Sequence, residues 1–220
     1  MTESFDCFFK DRVDAGIQLS ERLYHLKSEK TVVLAVPRGG VVVGFEVAKK
    51  LDASLSIIIP RKIGAPGNSE LAIGAVTEDG ESILDLSLVS FLGVDKKYIE
   101  ARKIHEMSEI KRRMRLYLGD KPRTSLKDRI IVIVDDGLAT GATMKAAVKS
   151  TLLQEPAKVV IAVPVAPVDT IEAMKKLVDE VVCLCTPKTF FAIGQFYQNF
   201  SQVEDDEVIS LLKSFESLKK

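Results

Sequence analysis

The hydrophobic pattern changes period several times along the chain, and each change marks an element. From Asp11 to Leu26 the apolar residues Val13, Ile17, Leu19, Leu23 and Leu26 fall largely on one face of a helix, with charges elsewhere. Thr31 to Val36 is a β-branched run that stops at Pro37-Arg38-Gly39-Gly40, and helical spacing returns from Val41 to Leu51. Strand, glycine turn and helix are therefore predicted in succession. A second apolar run, Leu55 to Ile59, ends at Pro60, and Gly, Pro, Asn and Ser crowd the chain from there to Gly80. Arg61 to Ser69 reads as a loop. Ala72 to Val76 and Ser82 to Leu84, flanking Thr77-Glu78-Asp79-Gly80, read as a β-hairpin, and Asp95 to Leu118 as a long charged helix.

Three more apolar, β-branched runs follow at Ile130 to Val134, Val159 to Val163 and Val181 to Leu184. Helical patterns separate them at Ala142 to Leu153 and Val168 to Leu177, and Glu204 to Leu212 reads as a final helix. Strands that are apolar on both faces and alternate with helices imply a doubly wound α/β fold, its mainly parallel sheet covered on both sides. No linker or repeat divides the chain, so residues 1–220 are expected to form a single domain. The hairpin and long helix make an insertion at about 61–120.

Composition narrows the function classes. The 220 residues include 31 basic and 31 acidic side chains, so no overall field draws the protein to nucleic acid or to an anionic membrane. Any anion site has to be local. Cys7, Cys183 and Cys185 are an odd count with no CxxC, two of them in an apolar run, which argues for a reducing cytoplasm and against structural zinc. Met1-Thr2-Glu3-Ser4-Phe5-Asp6 does not resemble a leader, and no segment approaches the roughly 20 apolar residues of a membrane span. A cytoplasmic protein is expected.

In open parallel sheets, ligands bind beyond the carboxyl ends of the strands. Beyond Ile130 to Val134 the chain reads Asp135-Asp136-Gly137-Leu138-Ala139-Thr140-Gly141-Ala142-Thr143. Two adjacent carboxylates at a buried strand end repel one another and are costly to desolvate, so they call for a partner such as a ribose diol or magnesium. The following turn aims N–H groups and the hydroxyls of Thr140 and Thr143 at a helix N-terminus, which suits a phosphate monoester. A sugar phosphate answers both halves. The plainer alternative is a helix start with Thr140 as N-cap.

This string resembles the 5-phosphoribosyl 1-pyrophosphate (PRPP) signature of the type I phosphoribosyltransferases. The resemblance implies that Asp135 and Asp136 bind the ribose hydroxyls, directly or through Mg2+, and that Ala139, Thr140, Gly141, Ala142 and Thr143 hold the 5-phosphate. It implies that Arg38, Gly39 and Gly40 form the pyrophosphate loop, often built on a cis peptide, and that Arg61 and Lys62 belong to a flexible loop closing over the reaction. The acceptor pocket would come from a hood made by the N-terminal helix and residues at about 186–220, with Phe190 and Phe191 able to stack on a flat ring. One departure stands out: purine-using members commonly carry an aspartate where this chain has Ala139, which puts a purine acceptor in doubt. Phe9-Lys10-Asp11-Arg12-Val13-Asp14-Ala15-Gly16 and Arg61 to Gly80 are further similar to a bacterial subgroup whose acceptor is unknown.

The implied activity is transfer of the phosphoribosyl group to a nitrogen acceptor, a nucleobase or small amine, with loss of pyrophosphate. A non-catalytic PRPP or nucleotide sensor on the same fold is the rival. A homodimer is also expected as an open option. The absence of Gly-x-Gly-x-x-Gly after the first strand excludes a dinucleotide-binding protein of the usual kind. His25 and His105 lack partners at metal-ligand spacing, and the basic run Lys111-Arg112-Arg113-Met114-Arg115 reads as a solvated face.

Overall fold

The computed structural model describes residues 7–76, 82–120 and 124–219. Helix α1 (Arg12–Arg22) precedes β1 (Thr31–Ala35), α2 (Gly39–Leu51) and β2 (Ser54–Ile57). Three antiparallel strands follow: β3 (Arg61–Ala65), β4 (Asn68–Val76) and β5 (Ser82–Leu84). Helices α3 (Leu86–Phe91) and α4 (Lys96–Leu118) complete this excursion. The chain then alternates β6 (Ile130–Val134), α5 (Ala142–Leu152), β7 (Lys158–Val165), α6 (Val168–Lys175), β8 (Glu180–Cys185) and α7 (Asp205–Leu218). The main sheet is five-stranded and parallel, ordered β2-β1-β6-β7-β8.

That order puts the topological switch point between β1 and β6, because β1 leads outward to β2 while β6 leads the other way to β7 and β8. The register aligns Ala35 with Val134, so the loops after β1 and β6 leave the sheet side by side. Successive strand residues face opposite layers. Val32, Leu34, Ile131, Ile133 and Ile161 pack toward Met144 and Met174 of α5 and α6. Val33, Val132, Val134 and Val160 pack toward Leu19 of α1, Val43 and Val47 of α2, and Phe215 of α7. The near-continuous apolar character of these strands reflects burial on both faces.

Two corrections concern the first half of the chain. Residues Arg61 to Ser69 are not an irregular loop: β3 and the start of β4 occupy them, turning at Gly67, whose φ of 73° is in the left-handed region. The glycines and proline shape a tight turn between paired strands, and Ile63 and Ile73 are fully buried beneath it with Ile110 of α4. The Ala72–Val76 and Ser82–Leu84 pairing is as expected, with Gly74 opposite Leu84 and Val76 opposite Ser82. The turn at Thr77-Glu78-Asp79-Gly80 lies outside the described residues. The opening helix also ends early, at Arg22, and a short 3-10 turn (Tyr24–Leu26) carries Leu26 into the core. Of the five apolar residues assigned to its inner face, Leu19, Leu23 and Leu26 are buried, while Val13 and Ile17 are exposed; small Ala15 and Gly16 face inward instead. Gly16 is required there, since a Cβ would come within 2.9 Å of the Val43 carbonyl oxygen on α2.

The cysteine reading is overturned as well. Cys7 and Cys185 are disulfide-bonded, with Cα atoms 5.7 Å apart, which leaves only Cys183 free. The argument for a reducing compartment from unpaired cysteines therefore falls. Among the described residues, no helix is long and apolar enough to cross a membrane.

Replacing Ile73 with alanine should cost about 3 kcal/mol of stability, because a fully buried side chain under the hairpin leaves a cavity. Replacing the exposed Ile17 should cost less than about 0.5 kcal/mol. Urea unfolding of the two variants checks this, and similar losses from both would mean that the helix face is misassigned.

Candidate active site

The loops after β1 and β6 touch directly. A Cβ added to Gly39 would lie 1.9 Å from an Asp136 carboxylate oxygen, and one on Gly40 would lie 2.9 Å from the Asp135 Cα and from the Val134 carbonyl oxygen. Only glycine lets the first backbone come this close to the acidic pair. The Pro37–Arg38 peptide between strand and helix is cis, as the resemblance implies. The Arg38 guanidinium turns away from the acidic pair, reaching Glu204 at 3.4 Å and Asp205 at 3.9 Å beside α7. What Pro37–Gly40 offers to Asp135 and Asp136 is therefore its backbone.

The acidic pair is held from below by a residue that the sequence alone did not single out. Arg12, in the first turn of α1, donates from Nε to Asp136 at 2.7 Å, in a pair that is almost wholly buried. Its Nη1 donates to the Ser201 carbonyl at 2.8 Å, and its guanidinium lies 3.8 Å above the Phe200 ring. The Tyr197 hydroxyl donates to the Asp136 carbonyl at 2.6 Å. Phe9 and Tyr197 form a parallel bridge, extended by Gln198 N–H to Phe9 and Asn199 N–H to Lys10, so residues 9–12 and 196–201 form one strap around Asp136. The Cys7–Cys185 bond fastens this strap to the end of β8. Arginine in the first turn of a helix is an unremarkable pattern in sequence, and its partner lies 124 residues away.

The two carboxylates differ in environment. Asp135 accepts the Asp136 N–H at 2.9 Å, yet burial first, and the charge of Asp136 second, push its carboxyl well above the ordinary range. Burial and the nearby Asp136 charge likewise raise the Tyr197 hydroxyl far above its usual value, so it stays a donor. The carboxylates are hard oxygen donors, and no cluster of three acidic, His or Cys side chains that could cage a metal occurs among the described residues. Such a donor set fits magnesium that arrives with a substrate and takes its remaining ligands from water and phosphate oxygens.

Beyond the pair, Leu138 is buried and donates its N–H to the Val165 carbonyl at 2.9 Å, anchoring the loop. Thr170 of α6 donates to the Ala139 carbonyl at 2.7 Å. Gly141, not Thr140, caps α5, with φ of 72° in the left-handed region. Ala139, Thr140 and Thr143 are exposed, and the first-turn N–H groups of α5 face the same end of the sheet. Arg61 and Lys62 sit on β3 rather than in a loop, and they line a cavity of about 270 Å³ together with Thr143, Arg102 and Glu106. Glu106, almost fully buried, accepts from Arg61 Nε at 2.6 Å. Phe190 is stacked on Phe196, ring centroids 5.3 Å apart, whereas Phe191 is 86 % exposed. Gln195 is spent within that loop: it accepts the Phe191 and Ala192 N–H groups and donates to the Thr189 carbonyl.

The doubly wound sheet and the facing strand-end loops define a phosphoribosyl transferase domain, whose family model matches residues 10–200, and the chain belongs to that family. Two Mycobacterium tuberculosis proteins, from strains CDC 1551 / Oshkosh and ATCC 25618 / H37Rv, are phosphoribosyl transferases by name alone. Each is 47 % identical over 204 residues. Those matches cover 93 % of this chain and 46 % of each relative, so the chain spans about half the length of these relatives. The crystal structure of TT1426 from Thermus thermophilus is similar at 41 % identity and a TM-score of 0.87, covering 94 % of this chain and 99 % of that one.

The raised Asp135 carboxyl gives a pH signature. An unfolded aspartate titrates near 3.9, so above that pH the folded state is penalised progressively as pH rises toward the raised folded value. Asp135→Asn, which keeps the acceptor for the Asp136 N–H, should melt higher than the unsubstituted protein at pH 8, with the gap closing toward pH 4. Thermal unfolding across that range checks it, and a gap independent of pH would count against the raised carboxyl.

Proposed function

We propose that this protein displaces pyrophosphate from C1 of PRPP with a nitrogen nucleophile of nucleobase or small-amine type. The observation that carries the reading is the abutment of two loops: the Gly39–Gly40 backbone packs against Asp135 and Asp136 at the switch point of the sheet. A substrate with a diol between a monoester phosphate and a pyrophosphate needs such a backbone loop and acidic pair side by side, with the Ala139 to Thr143 turn following the pair in the chain.

Asp135 and Asp136 bind the ribose hydroxyls and orient C1. Asp136 is steadied by Arg12 and by the Tyr197 bond to its own carbonyl, so the geometry is set before substrate arrives. Ala139 to Thr143 hold the 5-phosphate with first-turn N–H groups and threonine hydroxyls. The backbone of Arg38, Gly39 and Gly40 receives the pyrophosphate. Magnesium, held by Asp135 and Asp136 directly or through water, would supply positive charge to the pyrophosphate oxygens. As the C1–O bond lengthens, the ribosyl group gains oxocarbenium character, and positioning with fixed charge is the protein's contribution. Arg61 and Lys62 supply cationic charge, and their place beside Thr143 favours the phosphate-loop side of the substrate. The acceptor enters from the hood side, where Phe191 offers an exposed ring.

Sensing PRPP without turnover is the second reading. It is favoured by one feature: Ala139 places no carboxylate or imidazole where an acceptor nitrogen would lose its proton. Incubation with magnesium, PRPP and a panel of nucleobases and small amines, following pyrophosphate release, separates the two. Release that depends on one acceptor supports transfer, and tight PRPP binding without release under any acceptor supports the sensor. With an acceptor in hand, Asp135→Asn should cut turnover at least about a hundredfold while stabilising the fold at pH 8. Retained turnover would sink the assignment of Asp135. Asp135→Asn is a cleaner test than changing Asp136, because removing the Asp136 charge leaves Arg12 buried without its partner, at about 3–5 kcal/mol.

A further inference from the structure

We infer that Arg102, on the inserted helix α4, is a ligand of the sugar 5-phosphate, so that the insertion forms part of the substrate site. The inference rests on the phosphoribosyl reading above and adds a residue to it.

The cavity between the hairpin base, α4 and the first turn of α5 measures about 270 Å³. Three of its lining residues are cationic, Arg61, Lys62 and Arg102, against one carboxylate, Glu106. Glu106 is almost fully buried and shared: Arg61 Nε lies 2.6 Å from one oxygen and Arg102 Nη2 lies 2.5 Å from the other. One carboxylate thus serves two guanidinium groups. Arg102 also has a buried Nε–H with no acceptor in the protein. A buried donor is normally satisfied, so this one marks a missing partner. Arginine presents five donors in a planar fork suited to phosphate, and the Glu106 bond occupies one of them.

The wall opposite identifies the partner. Thr143 belongs to the loop and helix start that suit a phosphate monoester, and it lines the cavity with Arg102. No residue of the Pro37–Gly40 loop lines it, so the anion is the 5-phosphate and not pyrophosphate. A monoester carries nearly two negative charges at neutral pH, matching the two guanidinium groups of Arg61 and Arg102, which share the single Glu106 carboxylate. At roughly 30 Å³ per water, the cavity holds a phosphate and several waters. Glu106 fixes Arg61 and Arg102 relative to each other across β3 and α4, so the phosphate meets a preset fork.

The test uses ribose 5-phosphate and inorganic pyrophosphate as separate probes, titrated calorimetrically into the unsubstituted protein, Arg102→Gln and Arg102→Lys. Arg102→Gln should weaken ribose 5-phosphate binding at least about tenfold, equivalent to about 1.4 kcal/mol, and leave pyrophosphate binding within about twofold. Arg102→Lys should recover part of the loss. A second measurement needs no variant: ribose 5-phosphate, and not pyrophosphate, should protect Arg102 from phenylglyoxal, read by peptide mass spectrometry. Unchanged ribose 5-phosphate affinity in Arg102→Gln, equal loss of both probes, or no protection of Arg102 would overturn the proposal. If the unsubstituted protein binds neither PRPP nor ribose 5-phosphate, the phosphoribosyl reading itself fails, which is a different result from binding that ignores Arg102.

Discussion

The structure is organised around one problem, two adjacent carboxylates at the end of a buried strand, and its answer is the Arg12–Asp136 ion pair. Removing two like charges from water is unfavourable, and a single buried arginine offsets only part of it. That part goes to Asp136, while Asp135 is left with a raised carboxyl and one backbone donor. A buried pair of this kind is weak evidence for stability, since apolar residues of similar volume often serve a core as well. Its presence beside two glycines that admit a backbone to the same carboxylates makes sense as preparation for a ligand.

Placing Arg12 there determines much of the rest. The residue begins α1, so α1 has to lie across α2, and Gly16 permits the approach. The guanidinium also needs acceptors and a covering surface, which Ser201 and Phe200 supply from the far end of the chain. The N-terminal segment and the stretch before α7 are therefore brought together by the site, with the Phe9–Tyr197 bridge and the Cys7–Cys185 bond closing the strap.

The central sheet was legible in the sequence because each of its strands is a short β-branched run buried on both faces, a pattern few other elements share. The place of the loop after β6 was legible for a different reason: its acidic pair and Thr-Gly turn are contiguous, so Asp135 to Thr143 can be picked out as a strand end and helix start from one string. Arg12 was not legible, since it acts on a partner 124 residues away that only folding brings near, and it sits in a charged helix where exposure is the ordinary expectation. The stretch from Arg61 to Ser69 misled because its glycines and proline, which mark loops in isolation, here serve a turn whose flanks pair and bury Ile63. The same limit applied to Val13 and Ile17: helical spacing locates an apolar stripe, but small residues at a close helix contact can take the inward face instead.

The insertion and the core consequently share a single design. The core fixes the Gly39–Gly40 backbone and the acidic pair on rigid strand ends, where the register between β1 and β6 sets their spacing. The insertion then carries its cations on paired strands and a long helix, tied by Glu106, so that they are held rather than swept in on a mobile loop. Charge held in advance costs little reorganisation when an anion arrives, which on the proposed reading favours tight and oriented binding of the donor. On the proposed reading, specialisation is thus concentrated on the phosphoribosyl half of the reaction. The acceptor half is sparse by comparison: Ala139 is a methyl group with its carbonyl tied to Thr170, Gln195 is consumed within its own loop, and Phe191 stands in solvent. On the proposed reading, a purine site with a carboxylate near the ring nitrogen would need a different residue at position 139, so that reading is met best by an acceptor that can attack without such a group.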